Sequence, residues 1–178
     1  MNHTDHVRLI RDGIPTGSRV WGDFGSGRGA FTLALADILG EHGEIISVDQ
    51  DRWALHQQKR TINGRFPHAK MTYIRQDYTK PLKNMPPLDG LVMANTLHFH
   101  QGERRLNLLR LIQGYLKVNG RLIVVEYDTN HGNRWVPHPM TFQSWQAIAS
   151  EAGFSQTTLL TTHPSSFMGR FFSAVTVI

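Results

Sequence analysis

Three glycines and three aspartates carry the most specific chemistry in this sequence. Gly25, Gly27 and Gly29 stand at alternate positions in Val20-Trp21-Gly22-Asp23-Phe24-Gly25-Ser26-Gly27-Arg28-Gly29-Ala30, and the apolar run Phe31 to Leu39 follows. Glycines where a strand turns into a helix let the backbone bend sharply and let a ligand approach with no Cβ in the way. The helix that follows points its first free N–H groups at the same spot. This is a nucleotide-binding turn. Asp49 lies ~20 residues further on, where a carboxylate accepts hydrogen bonds from both ribose hydroxyls. Asp51 is placed to cap the next helix, which leaves Asp49 free for a ligand.

Asp23 decides between ligands. Beside a pyrophosphate, a carboxylate just before the turn is a like charge in a low-dielectric site and costs binding. Beside an amino group and a sulfonium it is favourable, and S-adenosyl-L-methionine carries both and no phosphate. Asp77 suits the same ligand, because a carboxylate or its neighbouring backbone can accept from the exocyclic amine of adenine. Gly25-x-Gly27-x-x-Ala30 formally fits the NAD fingerprint too. Asp23, and the lack of a substantial second substrate domain after it, argue against an NAD-binding oxidoreductase.

These residues need a sheet to hold them. Strands are expected over Arg19–Asp23, Glu44–Val48, Met71–Arg75, Leu88–Ala94 and Arg121–Glu126. Helices alternate with them: about Arg28–Leu39 with Gly40 as C-cap, Asp51 to about Ile62, Glu103–Leu116 and Thr141–Ala152. A short helix over Thr4–Arg11 precedes the first strand. The last two strands, Ser155–Thr162 and Phe171–Ile178, are joined by a loop too short for a crossover helix and are therefore antiparallel. The fold class expected is α/β: a doubly wound, mostly parallel sheet of about seven strands with a C-terminal antiparallel hairpin. No repeat or domain boundary interrupts it, so residues 1–178 are read as a single domain.

In such sheets the ligand sits outside the C-terminal ends of the strands. Those ends present Asp23, Asp49, Asp77, Asn95, and the group Glu126, Tyr127 and Asp128. The chain here resembles the class I S-adenosylmethionine-dependent methyltransferases, with their Rossmann-like fold. The segments that carry the resemblance are Asp23 to Gly29, Val48-Asp49, Gln76-Asp77, Leu88 to Val92 and Leu116 to Leu122, in family order and spacing. The resemblance implies that Asp23, Gly25 and Gly27 line the methionine part of the cofactor, with Ser26 between the glycines. It implies that Asp49 takes the ribose and Asp77 the adenine, with Gln50 and Tyr78 as adenine neighbours and Asn95 beside the methyl donor.

The acceptor is less defined. Methyl transfer is an in-line displacement in which the protein supplies alignment and a dry site, so the fold does not name the substrate. The candidate catalytic residues are His98, Asn95 and Tyr127; His98 and His100 both sit in the loop after the fourth strand, where a general base for a hydroxyl can stand. Asn95-Thr96-Leu97-His98 is not the Asn-Pro-Pro-Tyr segment of amino-methylating nucleic-acid enzymes. The absence of cysteine excludes a thiolate nucleophile, disulfides and thiolate metal sites, and no metal site is expected. The loop from Tyr127 to Pro139 is the candidate substrate cap.

Of the 178 residues, 40% are hydrophobic and 19% charged, an ordinary globular mix. The net charge is +5 and the pI about 9.9. Basic residues spread along the chain and form no aromatic-interleaved stripe. A small-molecule acceptor is therefore the leading expectation, RNA the alternative, and a non-catalytic methyltransferase-like binding subunit a third reading. A homodimer would merge weak patches into one groove. No apolar run reaches the ~20 residues of a membrane helix, and Met1 to Gly13 lacks the apolar run of a signal peptide. A cytoplasmic protein with no membrane partner is expected.

Overall fold

The computed structural model describes residues 1–178. In chain order the elements are α1 (His3–Ile10), β1 (Val20–Phe24), α2 (Ala30–Leu39), β2 (Glu44–Asp49), α3 (Arg52–Arg65), β3 (Lys70–Arg75), β4 (Leu88–Ala94), α4 (Gly102–Gln113), β5 (Leu116–Tyr127), α5 (Phe142–Glu151), β6 (Gln156–Ser165) and β7 (Gly169–Val177). The strands form one seven-stranded sheet in the order β3-β2-β1-β4-β5-β7-β6. The pairs from β3 to β5 are parallel, and β7 runs antiparallel to both β5 and β6. The expected doubly wound sheet with its terminal hairpin is what forms. No helix is long and apolar enough to cross a membrane.

Two cores follow from the period-two alternation of the strands. Ile46, Val48, Leu91, Met93, Leu122, Val124, Phe172 and Ala174 face α4 and α5, where Leu108, Leu109, Ile112 and Trp145 meet them. Ile45, Val92, Ile123, Val125 and Val175 face the other way, toward Ile10 of α1 and Leu35 of α2. Central strands buried on both sides read as unbroken apolar runs, and Leu91-Val92-Met93 and Leu122 to Val125 are such runs. The bottom of the sheet is pinned by Asp89, which accepts from Arg19 N (2.7 Å), Val20 N (2.9 Å) and Lys117 Nζ (2.6 Å).

Several boundaries differ from expectation. Helix α2 begins at Ala30, because Gly29 holds φ 86° as its N-cap. Helix α3 runs through Asn63-Gly64 to Arg65. Helix α4 stops at Gln113, and Leu116 already pairs with Leu88 in β5. Asn119, with φ 62°, and Gly120 therefore form an irregularity inside a long strand, not a turn before a short one. Strand β6 also passes through Pro164, which an edge strand tolerates because it loses no ladder bond it needs.

Two glycines make opposite demands. A Cβ on Gly90 would stand 2.3–2.5 Å from the ring of Trp21, which is fully buried. A Cβ on Gly64, inside α3, would meet nothing within 4 Å. Gly90→Ala is expected to lower stability by about 1–3 kcal/mol through overpacking, and Gly64→Ala to raise it by about 0.5–1 kcal/mol through helix propensity. Urea unfolding midpoints of the two variants check the signs.

Candidate functional site

The glycine turn is bent by its hydrogen bonds and moulded by its neighbours. Gly25 N and Ser26 N donate to Val48 O at 2.8 and 3.2 Å, and Gly27 N donates to Asp49 Oδ2 at 2.7 Å. Gly25 has φ 73°, and a Cβ there would lie 2.3 Å from Thr96 Cγ2. Gly29 has φ 86°, and its Cβ would lie 2.3 Å from Gln58 Cγ. Both positions are closed to other residues by backbone and by space. Asp51 caps α3, accepting from Trp53 N and Ala54 N. Asp49 spends its oxygens on Gly27 N and on Asp51 N (2.8 Å) while staying partly exposed at the strand end.

Beneath the turn lies a buried polar chain that sequence reasoning missed. Thr32 Oγ1 donates to Asp23 Oδ2, Gln58 Nε2 donates to Thr32 Oγ1 (2.6 Å), and Ser47 Oγ donates to Gln58 Oε1 (2.7 Å). Ser26 Oγ joins Ser47 Oγ at 2.7 Å. Asp23, Thr32, Ser47 and Gln58 are all buried. Asp23 was expected to face the amino group of a ligand, but the structure places its carboxyl below the turn with Thr32 as its partner. Burial raises its pKa from 3.8 to about 7, against the Thr32 hydrogen bond, and the nearby Asp49 pushes the same way. Nothing in the apolar pattern of α2 or the polar pattern of α3 marks Thr32 and Gln58 as partners.

Gln50, Asp77 and Tyr78 come together as expected. With Thr79, Phe99 and His100 they line a cleft of about 350 Å³ at the strand ends. Asp77 Oδ1 accepts from Thr79 N (2.9 Å) and Thr79 Oγ1 (2.7 Å), which holds its carboxyl below the usual range. Tyr78 Oη lies 3.3 Å from both Thr96 O and His100 Nε2, and burial raises its pKa. His100 therefore belongs to this cleft, and burial lowers its pKa.

A second cluster is built on Glu126, at the end of β5 and fully buried. Its Oε1 accepts from Thr96 N (2.9 Å), Leu97 N (2.8 Å) and His98 N (3.3 Å), and its Oε2 meets His98 Nδ1 at 2.7 Å. His98 is 3% exposed, and its ring lies 6.4 Å from that of Tyr127. Burial raises the Tyr127 pKa, and the Glu126 carboxylate adds to it. Asn95 sits in the left-handed region (φ 54°). Asn95 Oδ1 and Thr96 Oγ1 are buried with no partner in the protein, which is costly unless a ligand supplies one.

The loop after β5 is tied to this platform. His138 N donates to His98 O at 3.0 Å. Buried Arg105 of α4 donates to His100 O (2.8 Å) and to His138 O (2.7 Å), clamping both loops. Asp128 is held by Arg170 at 2.7 Å and by Phe142 N at 3.0 Å, so its role is to anchor the loop. Arg134 lies over Trp135, which is 71% exposed and does not pack on the core. Sequence reasoning placed Glu126 at a strand end without its role, and it missed Arg105 and Phe167. A lone charge after four apolar residues was a readable signal for Glu126; the other two depend on long-range packing.

With the geometry in view, the comparisons with known proteins agree. The profile of the methyltransferase domain family matches residues 22–120. Among curated proteins, the tRNA1(Val) (adenine(37)-N6)-methyltransferase of Haemophilus influenzae is 29% identical over 122 residues, 60% of this chain and 53% of its own length. The chain thus spans about half the length of the curated relative it matches. Of solved structures, a proposed O-methyltransferase from Nostoc punctiforme superposes with TM-score 0.78 at 20% identity, over 98% of this chain and 56% of that one. Human N-acetylserotonin methyltransferase, solved with S-adenosylmethionine, gives 0.70 at 17% identity over 97% and 51%. At such identities the likeness is one of fold: the Rossmann-like methyltransferase fold.

The buried Asp23 generates a pH prediction. Its folded pKa lies above its ordinary value of 3.8, at about 7. The folded chain therefore holds a proton that the unfolded chain releases, and the stability this confers is lost as pH rises from about 4 through 7. The interval from 3.8 to about 7 corresponds to an upper bound of roughly 4 kcal/mol. Asp23→Asn is expected to flatten this component, seen as a smaller loss of urea midpoint between pH 5 and pH 8 than in the parent. An equal loss in both proteins would place the carboxylate as ionised throughout.

Proposed function

Because the chain belongs to the methyltransferase domain family, we propose that it transfers the methyl group of S-adenosylmethionine to a hydroxyl of a compact acceptor held beside His98. The observation that carries this is the buried His98–Glu126 pair, set at the same strand ends as the glycine turn. The residues present fit the cofactor. The turn leaves open space at Gly27, where a Cβ would meet nothing within 4 Å, the cleft of Gln50, Asp77 and Tyr78 accommodates a flat base, and Asn95 Oδ1 and Thr96 Oγ1 stand unpartnered. Asp49 serves the ribose, Gly25, Ser26 and Gly27 the methionine end with Asp23 below them, and Asn95 the region of the methyl group.

S-adenosylmethionine supplies a methyl carbon made electrophilic by its sulfonium. The protein's part is to align the acceptor and take its proton. The Glu126 carboxylate accepts from His98 Nδ1–H, which fixes the tautomer and leaves Nε2 with its lone pair. Nε2 makes no hydrogen bond within the protein. It accepts the proton of the acceptor hydroxyl as the oxygen's electron pair forms the bond to carbon. With the cofactor bound, its methyl group would pass to that oxygen and the sulfur would keep the electron pair of the broken bond, so the products would be a methyl ether and S-adenosylhomocysteine. Tyr127 closes the other side of the imidazole.

A second reading is favoured by one specific surface. Helix α3 exposes Arg52, Trp53, His56, Lys59 and Arg60 on one face, and it contains no acidic residue from Arg52 to Arg65. Arg28 lies 4.7 Å over the Trp53 ring, which is 53% exposed. This is an aromatic-interleaved basic stripe, which the linear sequence was not expected to contain, and it suits RNA. The curated relative acts on tRNA. The compact acceptor remains first because the stripe lies beside β2 and β3, on the opposite side of the turn from His98.

Calorimetry is expected to show binding of S-adenosylhomocysteine and none of NAD. Asp49→Ala should weaken that binding by roughly 2–4 kcal/mol, given ~1.5–3 kcal/mol for each charged hydrogen bond and incomplete additivity. His98→Gln should retain cofactor affinity and lose about 10²- to 10⁴-fold in transfer rate. Transfer into RNA, with binding that falls steeply with salt, would replace the compact acceptor by the second reading.

A further inference from the structure

Large rings stand in water around His98. Phe99 is 56% exposed and Phe167 54%, although Phe167 is fixed by a tight turn in which its N–H donates to Ser165 Oγ at 3.2 Å. They are the two ends of one row. The Phe99 ring centroid lies 4.3 Å from that of His98, His98 lies 6.4 Å from Tyr127, and Tyr127 lies 6.0 Å from Phe167. Phe171 supports Tyr127 from below at 4.3 Å. The rings come from three separate places: the short turn after β4, the end of β5, and the β6–β7 turn. Phe99 also lines the cleft of Gln50, Asp77 and Tyr78, so the row starts where that cleft ends.

We infer that this row is the seat of the acceptor, and that the acceptor is a planar aromatic compound with an ionisable ring hydroxyl. This rests on the methyl-transfer function proposed above and names its substrate class. Rings favour other rings through offset and edge contacts beyond simple area burial, and a pocket for a small molecule is mostly apolar with few placed polar groups. Here the row is apolar except for the Tyr127 hydroxyl and the His98 imidazole, whose Nδ1 is already engaged by Glu126. A flat ring laid along Phe99 and Phe167 brings one edge hydroxyl to that imidazole. An aryl hydroxyl is also a far better proton donor to a histidine than an aliphatic alcohol.

The cations flanking the row do not prepare it for a phosphate chain. Arg105 is buried against two carbonyls and Arg170 is held by Asp128, which leaves Arg134, over Trp135, as the free arginine of the cap loop. Phosphate-tracking sites need several.

The test uses two alcohols of similar size, flat 2-naphthol and puckered decahydro-2-naphthol, titrated into the full chain saturated with S-adenosylhomocysteine. The expected result is at least tenfold tighter binding of 2-naphthol. Phe99→Leu with Phe167→Leu should erase that preference, and Phe167→Leu alone, which lies outside the Gln50, Asp77 and Tyr78 cleft, should weaken it while leaving S-adenosylhomocysteine affinity unchanged. His98→Gln should keep naphthol binding and lose its methylation. Equal affinity for the two alcohols, binding of neither, or a preference that survives the double substitution overturns the inference. Failure to bind S-adenosylhomocysteine at all would instead sink the methyl-transfer function, so the two failures are distinct.

Discussion

One carboxylate, Glu126, orders the functional end of the sheet. A fully buried carboxylate is tolerated only when its lone pairs are met, and here three successive backbone N–H groups and one imidazole meet them. Those bonds force the chain after β4 into a tight turn. The turn brings Thr96 against Gly25, where no Cβ fits, and offers Thr96 O to Tyr78. It also presents His98 O to the backbone of His138. The glycine turn, the cleft wall and the cap loop are thus all referred to the same side chain.

The two halves of the site are held differently. On the cofactor side the turn is fixed mostly by neighbouring backbone, with Val48 O and Asp49 next door in the sheet. A second layer of hydroxyls and one amide, from Asp23 to Ser26, supports it from below. Around Glu126 the support comes from afar: Glu126 reaches back about one strand–helix unit, and Arg105 of α4 joins both loops. Support of the first kind is written within a short stretch of chain, and support of the second kind joins residues far apart in it.

This difference explains what the sequence revealed. Strand positions and the mostly parallel sheet with its terminal hairpin followed from periodicity and turn chemistry, because those are local signals. Asp77 was legible as a strand-end residue, whereas Gln50 and Tyr78 came only from the family resemblance. The end of α4 was misplaced because Tyr115 and Leu116 continue its apolar stripe, while sheet pairing with Leu88 claims Leu116. The burial of Asp23 was invisible, since a strand-end aspartate looks the same whether it faces a ligand or Thr32. The basic face of α3 was present in the letters but concealed by reading charge along the chain instead of around a helix. Phe167 gave no signal at all, because only the β6–β7 register carries it to Tyr127.

The Arg105 clamp has a consequence for how such a protein can diverge. Its guanidinium spans the carbonyls of His100 and His138 at fixed reach, so the two loops cannot change length independently. An insertion in either would strand a buried cation without its acceptors. Descendants of this chain are therefore free to alter acceptor preference by exchanging side chains on the loops. They are barred from the commoner route of growing or trimming the loops, unless Arg105 is lost in the same step.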